Sequence, residues 1–309
     1  MDGQDWLIHG GNLLNRRYAD KETKISPETV SKLRLKWKFV AGKDITATPA
    51  IFRGILYFPS WDGFLYAVKA SDGSLVWKQN LQQITGLNYT RLFTNVTTVV
   101  SRTTPAIVDD DLLICGISGP AYVIAVKMSN GKLVWLTQLD KSPKGIITMS
   151  GTYYRGSKGG PGSVAGGGIW GAATDEKKVY TNIANYLHQN FTLKPSTTVT
   201  TAGGWVGMDA KNGQILWSTA DPSNGTANGP VTIANGVVFA GSTYRDGPIY
   251  AMNANTGRIL WSYNTGATVY GGFSVSNGCI FGGNGYKVSL GALNPDFTAG
   301  NTLFAFCVY

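Results

Sequence analysis

The feature that most constrains the fold is a 13-residue segment that occurs four times without a gap. The copies end at Trp77, Trp135, Trp217 and Trp261, and the ninth position of each copy is a glycine. They read LYAVKASDGSLVW, VIAVKMSNGKLVW, WVGMDAKNGQILW and IYAMNANTGRILW. The glycine follows an Asp, Asn or Thr, which is typical of a tight hairpin turn that requires a positive φ. Each copy is therefore predicted to be a β-hairpin whose second strand ends at a tryptophan that covers the contact between neighbouring sheets.

A second short hairpin is predicted ahead of each copy, in segments such as TPAIFRGILYFPS and GPVTIANGVVFAGS. Two hairpins form a four-stranded antiparallel sheet, and such a unit repeated at about 40 residues is typical of a β-propeller blade. The tryptophans at 37 and 77 are 40 residues apart, and those at 217 and 261 are 44 residues apart. The longer intervals between the other tryptophans place insertions near 78–102 and 136–169. Strict alternation and the turn glycines argue against a helical solenoid of the same repeat length.

The two ends of the chain predict how the ring closes. The segment LFAFCV at 303–308 matches the first half of the repeat, and LRLKW at 33–37 matches its second half. One blade would then be shared by the termini, which removes open sheet edges. The prediction is one all-β propeller domain over residues 1–309 with five visible blades. Their approximate bounds are 46–77, 103–135, 170–217, 227–261, and 270–309 together with 33–37, with a glycine-rich seam at 156–168.

Composition excludes several classes of function. The chain is 43% hydrophobic and only 15% charged, against about 25% charged in an average globular protein, which predicts a packed core. The two histidines are far apart and the three cysteines form no C-x-x-C, so zinc, iron–sulfur and haem sites are not expected. The net charge of +9 is scattered, which fits either a basic solvated surface or attraction to an anionic polysaccharide. No basic helical stripe indicates nucleic acid, and no apolar run approaches the 18 residues of a membrane span.

The repeat A-x-x-x-x-G-x-x-x-W resembles that of pyrroloquinoline quinone (PQQ) propellers, the quinoprotein alcohol dehydrogenase family. The opening DWLIHGGNLLNRRYADKETKISPETVSKLRLKWKF is similar to the start of those dehydrogenases. The segments WGAATD, TTAGGWVGMDAKNG and GATVYGGFSVSNGCIFGGNGY are closest to the plant polyvinyl-alcohol-dehydrogenase-like members. The resemblance runs from about residue 5 to residue 309, and it implies oxidation of a small-molecule or polymeric alcohol with PQQ and calcium as cofactors. Cofactor-free scaffolds of the outer-membrane assembly type share the repeat, so a propeller that binds a polysaccharide or a protein is the alternative.

The chain departs from that family in size. Rings of this kind usually have eight blades in well over 400 residues, whereas five blades are visible here. The segment SKGGPGSVAGG stands where further blades are expected. A five-bladed ring, an internally deleted isoform or gene product, and an incompletely closed arc all fit, and the good match of both ends favours internal deletion. A truncated, nonfunctional product would expose sheet edges and be poorly soluble.

The resemblance implies roles for a few residues. The stretch WGAATDEKKVYTNIAN resembles the floor motif of the family, which gives Trp170 the role of stacking on the quinone and Asn185 that of a calcium ligand. Asp175 is a candidate catalytic base, although aspartate is also favoured in hairpin turns. Arg155 and Lys158, beside the seam, would meet the quinone carboxylates through charge-assisted hydrogen bonds. The structural alternatives are packing for Trp170 and solvated loop charges for the two cations.

Cysteine usage also departs from the family pattern. The pair of adjacent cysteines that caps the quinone in the family has no counterpart in this chain. Cys279 and Cys307 both fall in the final blade and are predicted to be core cysteines or a structural disulfide.

Four N-x-[ST] sequons, at Asn88, Asn95, Asn190 and Asn224, lie outside the repeats in predicted loops. They favour a secreted or vacuolar glycoprotein, as the resemblance also does, and unused sequons in a chain rich in Thr and Asn are the alternative. The chain shows no signal peptide, which is expected if a leader has been removed.

Overall fold

The computed structural model describes residues 5–90, 93, 95–142, 145–147, 153–154, 157–158 and 171–309. These residues form five sheets that each contain four antiparallel strands. In four of the sheets the strands follow one another along the chain, and in the fifth one strand comes from the N-terminal part and three from the C-terminal part. The predicted all-β propeller with five visible blades is therefore confirmed. Within the described ranges, no helix is long and apolar enough to cross a membrane. The predicted seam at 156–168 lies outside the described residues, apart from the backbone of a short strand at Ser157–Lys158.

Blades are numbered here in chain order, and strands in the order in which they pair. Blade 1 contains the strands Ala50–Phe52, Ile55–Pro59, Phe64–Lys69 and Leu75–Asn80. Blade 2 contains Ala106–Val108, Leu112–Gly116, Tyr122–Lys127 and Leu133–Gln138. Blade 3 contains Ala173–Thr174, Lys178–Ile183, Gly204–Asp209 and Ile215–Ala220. Blade 4 contains Thr232–Ala234, Val237–Gly241, Pro248–Asn253 and Ile259–Asn264. Blade 5 contains Ser274–Ser276, Cys279–Gly283, Thr302–Cys307 and Arg34–Val40.

The remaining elements are short and lie outside the blades. They are the strand Tyr18–Ala19, the hairpins Tyr153–Tyr154 with Ser157–Lys158 and Phe191–Thr192 with Val199–Thr200, the α-helix Leu81–Thr85, and the 3-10 helices Val30–Lys32 and Ser289–Leu293.

Blade 5 is built from both ends of the chain, as the sequence predicts. Its third strand pairs antiparallel with Arg34–Val40, from the register Arg34 opposite Cys307 to Val40 opposite Thr302. A disulfide between Cys279 and Cys307 links the second and third strands of the same blade. The strands Arg34–Val40 and Thr302–Cys307 therefore leave no unpaired sheet edge between them.

Neighbouring blades are joined by the repeat tryptophan. The indole Nε1 of one blade donates to a backbone carbonyl in the last turn of the next blade, from Trp37 to Ala70 (3.0 Å), from Trp77 to Met128 (2.8 Å) and from Trp217 to Ala254 (2.9 Å). The turn glycine lies under the ring. A Cβ on Gly73, Gly131 or Gly257 would come within 2.7 Å of that tryptophan, and each of these glycines has a positive φ near 70°. The glycine is thus required twice, for the turn and for the indole above it.

A segment that the repeats do not predict crosses the ring axis. Residues 5–19 contact the first strands of four blades: Trp6 forms a β-bridge with Ile51, the Leu7 carbonyl accepts from the Ile107 amide, the Arg16 carbonyl accepts from the Thr174 amide, and Tyr18–Ala19 pairs parallel with the first strand of blade 4. This segment bridges blades 2 and 3 through the Leu7 and Arg16 carbonyls.

Buried tyrosines predict a loss of stability at alkaline pH. Burial raises the pKa of Tyr57 and of Tyr250 to about 12, and it raises the pKa of Tyr66, Tyr180 and Tyr270 further. Between pH 10 and 12 the unfolded chain has lost phenolic protons that the folded chain retains, so the free energy of unfolding falls as the pH rises. Burial also lowers the pKa of Arg17 to about 9, which makes the free energy of unfolding rise with pH. This is one group, whereas five tyrosines act in the other direction, so the net free energy of unfolding is expected to fall.

Urea unfolding at pH 8, 10 and 11, together with tyrosinate absorbance, measures this effect. We expect a decreasing free energy of unfolding and a fraction of tyrosines that ionises only as the protein unfolds. A free energy that stays constant or rises up to pH 11 would contradict the burial argument.

Candidate functional site

The connections between blades and the longer loops within blades lie on one face of the ring, where they could form a binding site. The chain passes from blade to blade through 41–49, the described parts of 81–105, 221–231 and 265–273, and it links second and third strands through loops such as 184–203 and 284–301. Because strands alternate in direction, all these segments lie on the same side, which we call the upper face. The tight turns, including those of the repeat glycines, lie on the lower face.

Near the axis the upper face carries a cluster of Arg102, Tyr270 and Tyr286, called here the tyrosine–arginine cluster. The two phenol rings are stacked, with centroids 3.9 Å apart and planes 28° apart. The guanidinium carbon of Arg102 is 5.8 Å from the centroid of each ring, within the range of a cation–π interaction. All three residues are buried, and Arg102 is only 9% exposed.

The cluster is supported by loops from two blades that flank blade 1. Arg102 enters from the connection into blade 2, whereas the two tyrosines come from blade 5 and from the connection that leads to it. Phe297 packs on Tyr286 with centroids 5.7 Å apart, and Trp61 of blade 1 belongs to the same buried group. The Trp61 Nε1 donates to the Thr46 hydroxyl at 2.8 Å, which fixes the plane of the indole.

Electrostatics keep the cluster positively charged. Burial acts to lower the pKa of Arg102, but attraction to Tyr270 and Tyr286 and hydrogen bonds with them outweigh it, so the pKa is raised. Burial raises the pKa of Tyr270, and Arg102 opposes that shift. At neutral pH the cluster therefore combines a guanidinium cation with neutral phenols, which can bind an anionic aromatic molecule.

The described residues do not fit a calcium ion. They contain no group of three or more His, Cys, Asp or Glu side chains close enough to hold a metal ion. The two buried upper-face carboxylates are already engaged in loop closure: Asp44 accepts from the Gly300 amide at 2.9 Å, and Asp221 accepts from the Ser223 amide at 2.9 Å and from the Ser242 hydroxyl. Burial raises the pKa of both carboxyl groups.

Of the residues that the resemblance singles out, the structure describes the side chains of Asp175 and Asn185, and these lie on opposite faces of the ring. Asp175 lies in a lower-face turn of blade 3, where it accepts from the Lys178 amide at 2.7 Å and from the Tyr180 hydroxyl at 2.9 Å. Asn185 lies on the upper face of the same blade. Trp170 and Arg155 lie outside the described residues, and only the strand backbone is described for Lys158.

Asn185 organises its own loop. Its Nδ2 donates to the carbonyls of Gln189, Thr201 and Ala202 at 2.9–3.1 Å, and its Oδ1 accepts from the Gln189 amide at 3.0 Å. Its backbone φ of 49° matches the tolerance of asparagine for the left-handed region. These contacts give the side chain a structural role in holding the base of loop 184–203.

Sequence reasoning did not select Arg102, Tyr270 or Tyr286 as site residues. Both tyrosines lie in the segment GATVYGGFSVSNGCIFGGNGY, which carries the family resemblance, and that resemblance is the one signal that points to them. Arg102 lies in an insertion with no repeat pattern, so nothing local marks it.

The four sequon asparagines are all exposed and all lie on the upper face. Asn88 and Asn95 lie between blades 1 and 2, Asn190 lies in loop 184–203, and Asn224 lies between blades 3 and 4. Each side chain is therefore accessible from the same side of the ring.

Fold and repeat together define a β-propeller of PQQ-type repeats. The family described as outer membrane protein assembly factor BamB matches residues 30–177 and 163–284. The chain belongs to this PQQ-repeat family.

Individual relatives are alcohol dehydrogenases. A polyvinylalcohol dehydrogenase of Pseudomonas sp. is 28% identical over 178 residues, which are 48% of this chain and 26% of the relative. A polyvinylalcohol dehydrogenase of Sphingopyxis sp. is 27% identical over 177 residues, again 48% of this chain and 26% of the relative. The chain thus matches about a quarter of the length of these curated relatives. The crystal structure of quinohemoprotein alcohol dehydrogenase from Comamonas testosteroni superimposes with a TM-score of 0.64 at 14% identity, covering 99% of this chain and 80% of that one, a likeness in fold.

Proposed function

We propose that this chain is an oxidoreductase of the quinoprotein alcohol dehydrogenase type, which binds PQQ at the tyrosine–arginine cluster and oxidises a small-molecule or polymeric alcohol. The observation that carries the proposal is the buried guanidinium of Arg102 over two stacked phenol rings near the ring axis. The two polyvinylalcohol dehydrogenases to which the chain is similar support the same class of reaction.

The donor chemistry of the cluster fits the quinone. PQQ is a planar aromatic tricarboxylate, so it requires an aromatic surface and a cation, and the cluster supplies both. When bound, PQQ would supply the acceptor for the hydride of the alcohol. Arg102 would bind a carboxylate, Tyr270 and Tyr286 would orient the ring, and Trp61 and Phe297 would exclude water from that side. Calcium is not part of this proposal, because the two buried carboxylates of the upper face, Asp44 and Asp221, accept hydrogen bonds that close their own loops.

The proposal is tested by adding PQQ at increasing concentrations and measuring the melting temperature of the protein at each one. A ligand that binds only the folded state raises the melting temperature by mass action. We expect Arg102→Gln to weaken PQQ binding by about tenfold or more, since a hydrogen bond to a charged group contributes about 1.5–3 kcal/mol. Arg53→Gln is the matched control, because Arg53 is exposed on the lower face and pairs there with Asp110 at 2.8 Å.

Two outcomes oppose the proposal. If PQQ leaves the melting temperature of a cooperatively unfolding wild type unchanged, with or without calcium, the chain is better described as a cofactor-free scaffold. If Arg102→Gln and Arg53→Gln bind PQQ equally well, the quinone lies elsewhere. If the wild type does bind PQQ, reduction of a dye in the presence of an alcohol measures whether it turns the alcohol over.

We also propose that the chain is an internally shortened, secreted or vacuolar glycoprotein. Four exposed sequons on one face support the glycoprotein part. After expression through a eukaryotic secretory pathway, we expect enzymatic removal of N-glycans to lower the mass, and replacement of all four asparagines by glutamine to abolish that change. A mass that does not respond to deglycosylation would contradict the proposal.

A further inference from the structure

Blades 4 and 5 meet at the rim of the ring along a line of aromatic side chains. Tyr263, on the last strand of blade 4, contacts Phe304 and Phe306 on the third strand of blade 5, with ring centroids 6.2 and 4.7 Å apart. Trp261, on the same strand as Tyr263, contacts Phe306 with centroids 5.2 Å apart. These four residues and Lys38, on the last strand of blade 5, form a surface that we call the rim patch.

The rim patch has a buried floor and an outer layer that solvent reaches. The two phenylalanines are only 2% and 1% exposed. Trp261 and Tyr263 are partly exposed, and Lys38 is exposed. A ligand at the rim would therefore meet two aromatic rings and an ammonium group.

The rim patch belongs to a completely described part of the ring. Blades 4 and 5 and the connection 265–273 between them all lie within the described residues. The segment 143–170, most of which lies outside those residues, joins blades 2 and 3. Neither of these two blades contributes a residue to the patch.

A cation lies over the aromatic floor of the patch. Lys38 is opposite Phe304 in the register of the two strands, and its Nζ lies 5.3 Å from the centroid of that ring, within the range of a cation–π interaction. Arg34 and Lys36, on the same strand as Lys38, are also exposed. None of the ion pairs within the described ranges involves any of these three cations. The positive charge of this strand is thus available to a bound anion.

The aromatic ring of Tyr263 is unusual for its position in the repeat. Two residues after the repeat tryptophan, the copies of blades 1, 2 and 3 have the polar residues Gln79, Thr137 and Thr219. Two of these close the contact with the next blade: Gln79 donates to the Asn130 carbonyl at 2.8 Å, and Thr219 donates to the Gly257 carbonyl at 2.7 Å. Tyr263 instead presents a partly exposed ring, which closure of the blade contact does not require.

The contact between blades 5 and 1 has the same layout but a different charge. Phe39 and Lys78 stand there at the repeat positions of the tyrosine and the lysine of the rim patch. Phe39 contacts Tyr66 with centroids 5.5 Å apart, and the Lys78 Nζ lies 4.9 Å from the centroid of Phe64. At this contact, however, the Asp62 carboxylate accepts from the Tyr66 hydroxyl at 2.6 Å. A carboxylate beside the rings repels an anionic ligand, so this contact offers a control within the same chain.

We propose that the rim patch binds an acidic polysaccharide, that is, a polymer of sugar rings that carry carboxylates. The apolar face of a sugar ring packs on an aromatic side chain, and its carboxylate pairs with the Lys38 ammonium. The ring planes of Trp261 and Tyr263 are only 13° apart and their centroids are 6.3 Å apart, so neighbouring sugars of one polymer can pack on the two rings. The net charge of +9 attracts the same polymer at longer range.

A nucleic acid fits the rim patch less well than an acidic polysaccharide does. Nucleic acids carry a phosphate on every nucleotide and are bound mainly through many Lys and Arg contacts to those phosphates. The rim patch instead sets one lysine over one aromatic floor. The proposal does not depend on PQQ, because the patch lies at the rim and the tyrosine–arginine cluster lies near the axis.

Equilibrium binding of the full chain to polygalacturonate at low salt tests the proposal. Dextran serves as the neutral sugar polymer, and polyglutamate serves as the carboxylate polymer without sugar rings. The wild type is expected to bind polygalacturonate more tightly than either. Lys38→Ala is expected to weaken this binding about fivefold, as loss of a partly exposed ion pair does, and Lys38→Arg is expected to restore it. Added salt is expected to reduce the difference between wild type and Lys38→Ala, since it screens the charge but not the ring packing.

Two further variants separate ring packing from general charge. Tyr263→Thr introduces the residue type of the equivalent positions in blades 2 and 3, and it is expected to weaken binding about tenfold. Lys78→Ala is the matched control, because it removes one positive charge at the same position of the repeat, and it is expected to leave binding unchanged. Circular dichroism shows whether each variant is folded. If Tyr263→Thr does not fold, the comparison of Lys38→Ala with Lys78→Ala decides.

Several results would overturn the proposal. A folded wild type that does not bind polygalacturonate does so, as does equally tight binding of dextran or polyglutamate, because ring packing or charge alone would then suffice. Equal weakening by Lys38→Ala and Lys78→Ala would show diffuse attraction to a basic surface. Tighter binding of a single-stranded oligothymidylate that is lost with Lys38→Ala would identify a nucleic-acid surface instead. A chain that fails to bind PQQ but binds polygalacturonate through Lys38 would contradict the proposed function and retain this inference.

Discussion

Replacing Arg17 with methionine is expected to lower the free energy of unfolding by about 3 kcal/mol, because it leaves buried acceptors without a donor. Arg17 is 1% exposed and lies on the axis, in the segment that crosses the ring. Its Nε donates to the Val231 carbonyl at 2.8 Å, its Nη1 donates to the His9 carbonyl at 2.7 Å, and its Nη2 contacts the hydroxyls of Thr48 and Thr232 at 3.4 and 3.2 Å.

Two opposing terms decide the sign of this effect. Burial of the guanidinium is costly, as the lowering of its pKa to about 9 shows. Its partners, however, belong to blade 1, blade 4 and the N-terminal segment, and they lie too deep for water to replace the donor. A buried polar group without a partner costs about 1–3 kcal/mol, and several are created at once, so destabilisation wins.

Urea unfolding at pH 7 measures the change, with Arg53→Met as the control. Arg53 forms an ion pair with Asp110 in which both side chains are more than 60% exposed, and such pairs contribute about 0–1 kcal/mol. If Arg17→Met and Arg53→Met have the same urea midpoint of unfolding, the prediction is wrong. The hydrogen bonds of Arg17 would then do no more than offset the cost of burying its guanidinium.

The repeats predict the blades because each blade is a local structure. A turn glycine, alternating apolar residues and a closing tryptophan lie within 13 residues, so the pattern fixes each hairpin without reference to the rest of the chain. The closure of blade 5 is predictable for a related reason: the two half-repeats at the termini have no other partner. The axial segment is different, since the stretch around Arg17 carries no period, and its strand at Tyr18–Ala19 forms only when blade 4 is present.

The tyrosine–arginine cluster lies beyond local reasoning for the same physical cause. Arg102 and Tyr270 are separated by 168 positions in the sequence, and they meet only because the ring brings the loops of blades 2 and 5 together beside blade 1. Asp175 and Asn185 show the converse. They are ten residues apart in sequence, yet the strand Lys178–Ile183 between them places one on the lower face and the other on the upper face.

Trp217→Ala is expected to cost about 4 kcal/mol of unfolding free energy, whereas Trp135→Ala, at the same position of the repeat, is expected to cost about 2 kcal/mol. Trp217 is buried, contacts Tyr180 with ring centroids 6.1 Å apart, and donates to the Ala254 carbonyl at 2.9 Å. Its removal opens a cavity between blades 3 and 4 and leaves that carbonyl without its donor. Trp135 is 40% exposed, so its truncation removes less buried area from the single chain than truncation of Trp217 does.

The comparison isolates the neighbouring blade as the cause, because the two tryptophans have the same local sequence pattern and the same hairpin beneath them. Urea unfolding of both variants at pH 7 and at the same chain concentration measures the two losses. Equal losses would mean that Trp135 is covered within its own chain as completely as Trp217 is. A larger loss for Trp217→Ala shows that the repeat encodes each blade, while the energy of its tryptophan depends on which blade follows.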